Sequence, residues 1–496
     1  MNGFVSRTSK SIVGSLIVSA MLAGCAVGPD YVAPHTEMAP FHNAELVAGR
    51  QTTWPAPKLD SWWTGFHDPE LVKVVQRALD QNLSLQAAIA RVAQSRAAAQ
   101  AAGARLLPTV DANASYTAAH QSTQSPLGTI ASAFPNYSRD QKEYVAGATA
   151  SWEIDLAGGL RRAHAAATDE EQAAEAAQLG TRVTVAADAA DAYLQIRGLQ
   201  AQLAVTEDQV NTDARLLELV KARKQAGASD EREVAQVEAL LRQARAAVPG
   251  LRVSLEAQLN RLDVLMGAQP GTYAAELGAN AGAIPEVPAI GSADQPVDVL
   301  RRRPDIIAAE RHLAASNESI GAAIAEYYPK ISLSGALGFD SISASHFLSA
   351  KSFQPVGTGA LQWRLFDFGK VNAEVKNARG AYAEALAQYR EAALKATEDV
   401  EDALMTLSQT EIRAQEIQQE VDALTKARDL SEKAYRAGSI TLTDVLDADR
   451  QLLDARDDLD ATKADAARAA VRTFRSLGGG WDAPHQQLTQ TERSGA

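Results

Sequence analysis

The chain of 496 residues has a single cysteine, Cys25, so no disulfide can close within it and its stability must come from packing. Proline is missing over two long stretches, Pro135 to Pro249 and Pro355 to Pro484. Because proline is the strongest interrupter of helix, each stretch can carry long unbroken helices. Basic residues are in deficit, 48 against 61 acidic ones, and a formal net charge of −13 argues against nucleic acid as a partner. The apolar run from Ile12 to Ala20 is too short to cross a bilayer as a helix. No phosphate-cradling glycine loop, Ser/His/Asp order or metal-ligand spacing is found. The eight histidines, among them His35, His164 and His312, stand singly, and five methionines do not suggest a copper route. Paired acids such as Asp457-Asp458 beside Arg456 read as a solvated helix face. These absences argue against an enzyme, and they call for no metal or dissociable cofactor.

What the chain does have begins with an address. Arg7 and Lys10 precede the apolar run and Leu22-Ala23-Gly24-Cys25 follows it, so residues 1–24 read as a secretory signal. Small residues ahead of a cysteine resemble the bacterial lipoprotein processing signal; the alternative is an ordinary signal with a chance cysteine. That resemblance implies a diacylglycerol and an N-acyl chain on Cys25. In such lipoproteins an Asp at the next place favours the inner membrane, so Ala26 points to the outer membrane of a Gram-negative cell. Without the leader the balance is 46 basic residues to 61 acidic, a net charge of −15, which suits periplasmic helix surfaces and a cation-tolerant lumen.

The chain also says the same thing twice. Ala104-Arg105-Leu106-Leu107-Pro108-Thr109-Val110 returns 221 residues on as Ala325-Glu326-Tyr327-Tyr328-Pro329-Lys330-Ile331. Ala226-Gly227 ahead of Val234 returns 211 residues on as Ala437-Gly438 ahead of Val445. Each copy predicts helix, strand, hairpin, strand and two long helices, and the shorter second offset reflects a longer first hairpin loop. Neither copy can close a core alone. The expected organisation is signal 1–24, lipidated leader 25–66, first copy 67–266, Pro/Gly-rich linker 267–297, second copy 298–478, and a tail 479–496 expected to be flexible.

From Thr109 the residues alternate with period two, which predicts a strand. Val110, Ala112, Ala114, Tyr116 and Ala118 lie on one side; Asp111, Asn113, Ser115 and Thr117 lie on the other. Across the hairpin, Tyr144, Ala146, Ala148, Ala150, Trp152 and Ile154 oppose Gly147, Thr149, Ser151, Glu153 and Asp155. The second copy repeats this with Ile331, Leu333, Leu337 and Phe339, then Leu361, Trp363 and Leu365. Such strands suit either a soluble sheet with one wet face or a transmembrane barrel with lipid outside and water inside. Membrane-spanning length, terminal tryptophans and the lipid signal favour the barrel. Four strands leave open edges that lipid cannot satisfy, so the chain must oligomerise.

Helix is predicted from about Gly159 to Gln225 and from about Lys370 to Arg436, each on the order of 100 Å long. That length suits a rod or tube built by supercoiling; an ordinary two-stranded coiled coil fits the helix pattern equally well. Each helix reverses at a short turn, with Gly227 and Gly438 as C-caps and Ser229 or Asp230, and Ser439 or Thr441, available to cap the next helix. Pro249-Gly250 should interrupt and kink the returning helix of the first copy.

At this point the residues resemble the outer-membrane efflux proteins, specifically the lipoprotein branch serving resistance-nodulation-division pumps, similar in architecture to TolC. The phrases that carry the resemblance are Trp62-Trp63 with Phe66 and Asp68-Pro69, Trp152-Glu153-Ile154-Asp155-Leu156, Arg302-Arg303-Pro304-Asp305-Ile306 with Ala309-Glu310, Ile320-Gly321 to Pro329, Phe366-Asp367, and Tyr435-Arg436-Ala437-Gly438 through Asp444-Val445-Leu446-Asp447-Ala448. They span nearly the whole mature chain in the family's order. Gln362-Trp363-Arg364 and Phe368 depart from the family pattern at the strand-to-helix turn. The resemblance implies an α+β membrane protein: a homotrimer whose four strands per subunit close a twelve-stranded transmembrane β-barrel, continuous with a twelve-helix periplasmic α-barrel. It implies two structural repeats per chain and lipid anchoring in the outer membrane.

The implied function is the exit duct of a tripartite pump, passively conducting small molecules such as drugs from an inner-membrane transporter of the resistance-nodulation-division class and a periplasmic membrane-fusion adaptor. The turns Ala226, Gly227, Ala228, Ser229 and Ala437, Gly438, Ser439 would meet the adaptor. Asp444 and Asp447, three apart on one helix face, would form stacked acid rings at the periplasmic gate, held closed by Tyr435 and Arg436. Without the resemblance the two aspartates read as a solvated pair favoured by the helix dipole. Glu233 and Gln236 stand at the matching places of the first copy. The competing expectations are the channel of a type I protein secretion system and a non-conducting coiled-coil spacer.

Overall fold

The computed structural model describes residues 26–34, 39–48, 50, 54–279, 283–291, 299 and 301–482; Cys25, the signal, parts of the linker and most of the tail lie outside them. The chain forms two compact units, each assembled from separate stretches. One comprises Ala93–Ala173 and Glu310–Gln388 with the described residues of Met1–Ala33; the other comprises the described residues of Pro34–Val92, Ala174–Ala309 and Tyr389–Ala496.

The principal elements are α1 (Pro69–Gln81), α2 (Leu83–Ala104), β1 (Thr109–His120), β2 (Asp140–Ile154), α3 (Gly159–Gln225), α4 (Glu231–Leu265), α5 (Pro304–Ala325), β3 (Lys330–Ser341), β4 (Val356–Gln362), α6 (Lys370–Arg436) and α7 (Leu442–Ser476). Lengths recur between the halves: α2 and α5 have 22 residues, β1 and β3 have 12, α3 and α6 have 67, α4 and α7 have 35. The long helices occupy the predicted spans, and Gly227 and Gly438 end them with φ of 75° and 74°. Pro249 does not interrupt α4, which continues through it. One lost backbone bond is tolerated where buried Val237 and Leu241 on one side and Leu259 and Leu262 on the other hold both halves in packed seams.

The strands form one antiparallel sheet in the order β1-β2-β3-β4. Its register aligns the alternating patterns: Ala112 pairs with Ala148, which pairs with Leu337, and Tyr116 pairs with Tyr144. Strand β4 is shorter than the sequence pattern predicts, ending at Gln362 opposite Lys330 rather than running to Leu365. The next residue on β3's side is Pro329, which has no N–H to extend the ladder. One tryptophan contact lies near the end of β2 and another just after β4. The indole N–H of Trp152 donates to the Leu106 carbonyl at 2.9 Å, and that of Trp363 to the Tyr327 carbonyl at 3.0 Å. At the following turn Phe368 takes φ 54°, a left-handed conformation suited to glycine, which is the structural counterpart of the sequence departure there.

The core of the second unit explains several sequence phrases. Trp62 stacks on Phe474 at 5.4 Å, and Trp63 and Phe66 are buried beside it. Asp68 caps α1 through the N–H groups of Glu70 and Leu71 and accepts the Tyr193 hydroxyl at 2.6 Å. Arg302 donates to the carbonyls of Gly478 and Trp481, and Arg303 to those of Ala396 and Ser476, with Pro304 opening α5. These motif residues are scaffold: Arg302 and Arg303 join the middle of α6 to the end of α7 and the residues after it, where the last carbonyls of a helix lack intrahelical partners.

Candidate gate at the helical turns

The ends of α3, α4, α6 and α7 meet in a small apolar core of Leu217, Val220, Val234, Val237, Leu241, Tyr435, Leu442 and Val445. The spacing of these residues along each helix, three or four apart, is what brings them to one side. At the first turn, Gly227 N–H donates to Lys224 and Ala228 N–H to Arg223, so the left-handed glycine satisfies the last carbonyls of α3. Asp230 is the residue that caps α4, accepting from Glu233 N–H at 2.9 Å, and the Ser229 hydroxyl donates to the Glu233 carboxylate. The second turn repeats the glycine pattern: Gly438 N–H donates to Tyr435 and Ser439 N–H to Ala434. Here Thr441 caps α7.

The sequence-predicted gate residues separate into two roles. Asp444 folds back on Thr441, accepting its backbone N–H at 2.9 Å and its hydroxyl at 2.7 Å. The Thr441 hydroxyl and N–H hold the Asp444 carboxyl below the ordinary carboxylate range. Asp447 is exposed, with the Arg450 guanidinium 3.6 Å away. Tyr435 is buried in the apolar core while its neighbour Arg436 points out and pairs with Glu432. The Tyr435 ring carries the Arg223 guanidinium 4.6 Å from its centroid, a cation–π contact joining the ends of α3 and α6. Arg223 was not singled out from the sequence, because a basic residue in the last turn of a helix has an ordinary explanation in the dipole.

Sequence reasoning also missed a polar cluster one layer further from the turns. Asp213 on α3 and Asp449 on α7 are both buried, and Arg428 on α6 donates to Asp449 at 2.8 Å. Asp213 sits three residues after Val210 and four before Leu217, an acid on an apolar helix face. That interruption of the pattern was the available signal. Among the described residues no group of three or more metal-ligating side chains is found, and no helix is long and apolar enough to cross a membrane.

The family model described as outer membrane efflux protein matches residues 74–268 and 296–479. Among curated relatives, the pyoverdine export outer membrane protein OpmQ of Pseudomonas aeruginosa is 31% identical over 479 residues, covering 96% of this chain and 99% of that protein. The antibiotic efflux pump outer membrane protein ArpC of Pseudomonas putida is 29% identical, covering 95% and 96%. Among solved structures, the outer-membrane channel OprN is similar with a TM-score of 0.82 at 29% identity, over 92% of this chain and 100% of that one. The outer membrane protein VceC of Vibrio cholerae is similar with a TM-score of 0.76 at 26% identity, over 86% and 100%. Matched by this family model over most of its length, the chain belongs to the outer membrane efflux protein family.

Proposed function

We propose that the chain is one subunit of a homotrimeric exit duct, in which three four-stranded sheets close a twelve-stranded barrel above a twelve-helix periplasmic tunnel. The observation that carries this reading is the sheet. Strands β1 and β4 each have one unpaired edge, and the apolar face is bare in the single chain: Val110 is 68% exposed, Leu337 61% and Leu361 67%. A bare apolar face beside open backbone edges is satisfied when lipid covers the face and the β1 edge of one subunit pairs with the β4 edge of the next. Recurrence of element lengths supports a duplicated chain, and the division into repeats at 67–266 and 298–478 belongs to the same proposal.

The duct would conduct passively, with selection left to an inner-membrane transporter coupled through a periplasmic adaptor. The curated relatives are pump and export components, which favours efflux of small molecules over protein secretion. Lipidation at Cys25 would anchor each subunit to the outer membrane. The turns at Ala226–Ser229 and Ala437–Ser439 would receive the adaptor, and Asp447 with Asp444 would ring the closed mouth. Since Asp444 is engaged in capping, Asp447, which is exposed and held only by a long surface pair with Arg450, is the carboxylate more open to passing ions.

Planar-bilayer recording on purified protein tests this. The expected result is a cation-preferring conductance whose preference falls on Asp447→Ala. A preparation without threefold symmetry that conducts nothing would leave the non-conducting spacer as the correct reading.

A further inference from the structure

Asp213 is fully buried, and its surroundings do little for a charge. One carboxylate oxygen accepts from the Gln209 side chain at 2.7 Å; the other has no hydrogen-bond partner. Its helix neighbours Val210, Ala214 and Leu217 all belong to the apolar core at the turns, to which α4 contributes Val234, Val237 and Leu241. From α7 the charged group facing it is Asp449, a second acid whose field makes ionisation harder still. The cation Arg428 on α6 is committed elsewhere: it bonds Asp449 at 2.8 Å, with Asp429 at 3.3 Å and Glu432 at 3.8 Å on its other flank. Arg456 acts on Asp449, and Arg223 lies over the ring of Tyr435. Each of these three cations therefore has a ring or an acid other than Asp213 to serve.

We propose that Asp213 is a proton-operated latch: while its carboxyl is protonated the ends of α3, α4, α6 and α7 stay packed, and its ionisation loosens them. A buried acid with an orphaned oxygen and an acidic neighbour is stable only neutral, whereas in a loosened end water would solvate the carboxylate. Burial first, then Asp449, pushes its carboxyl up to about 6. The packed state thus binds the proton that an opened state would release above its ordinary value of 3.8. Packing is favoured below that window, weakens as pH rises through it, and carries the full penalty above about 6. The consequence for transport rests on reading these turns as the gate; the latch itself does not.

The test is hydrogen exchange on the full protein in detergent, following peptides over Val210–Val220 and Leu442–Leu452, with rates corrected for intrinsic pH dependence. In the parent protein the local opening equilibrium should rise about tenfold between pH 5 and pH 7.5. Asp213→Asn and Asp213→Leu should each remove the rise, and Glu218→Gln, which changes an exposed carboxylate on the same helix, should keep it. A flat parent profile, or the same slope in both Asp213 variants, overturns the proposal. A protein that exchanges as expected but conducts nothing would sink the duct and leave the latch standing.

Discussion

Replacing Arg162 by Met should destabilise the first compact unit by about 3 kcal/mol. Arg162 Nη1 donates to both oxygens of Glu318 at 3.1 and 2.8 Å, Nη2 to Asp30 at 2.8 Å, and Nε to the Val27 carbonyl at 3.2 Å. The partners are unequal. The Arg162 and Glu318 side chains are 9% and 11% exposed, whereas Asp30 is 91% exposed. Removing one member of a buried pair costs about 3 to 5 kcal/mol because the other is left charged and dry, and an exposed pair contributes about 0 to 1. The lower figure applies here, since water reaches the Asp30 side. Asp30→Asn should therefore cost under about 1 kcal/mol. The double variant Arg162→Met with Glu318→Leu should return to within about 1 kcal/mol of the parent, because no charge is then stranded. Urea unfolding of the detergent-solubilised protein, followed by circular dichroism, measures all four. Equal losses in Asp30→Asn and Arg162→Met, or a double variant as weak as the single, would refute the assignment of the energy to the buried pair.

Other outcomes follow from the same geometry. Gly28 has φ 99°, and a Cβ there would meet the Gly321 backbone at 2.5 Å, so Gly28→Ala should lift the leader and speed its cleavage by added protease while the sheet stays intact. Gly438→Ala meets nothing within 4 Å, leaving only the strain of φ 74°; a loss of about 1 kcal/mol, read as faster local exchange at the second turn, is expected. Asp444→Asn should weaken the start of α7 at neutral pH. Because the parent carboxyl is held low, its capping contribution is present above the ordinary carboxylate value of about 4 and fades as pH falls through the lowered one, so the two proteins should converge in acid. That trend is opposite in sign to the one expected at Asp213, which makes a pH series on both variants a strong discriminator.

The long helices and the strands were legible because their information is local and periodic. A proline-free span with glycine at its end closes at Gly227 and Gly438 whatever surrounds it, and alternation from Thr109 makes β1 irrespective of its partner. Tertiary context decided the departures from that local pattern. Strand β4 stops at Gln362 because its partner strand reaches Pro329, a fact about a neighbour and not about Trp363 or Leu365. Pro249 breaks nothing because seams on both sides hold α4. Within the candidate gate the sequence brought Asp444 and Asp447 to one helix face, but only the folded chain turned Asp444 back onto Thr441 and left Asp447 to solvent.

The amino-acid order by itself determined the element types and the glycine turns, since each depends on spacing along one segment. The folded chain decided which acids are buried, which cation serves which partner and how Tyr435 meets Arg223. Those outcomes depend on desolvation and on distances between helices far apart in the chain, and no periodicity encodes them.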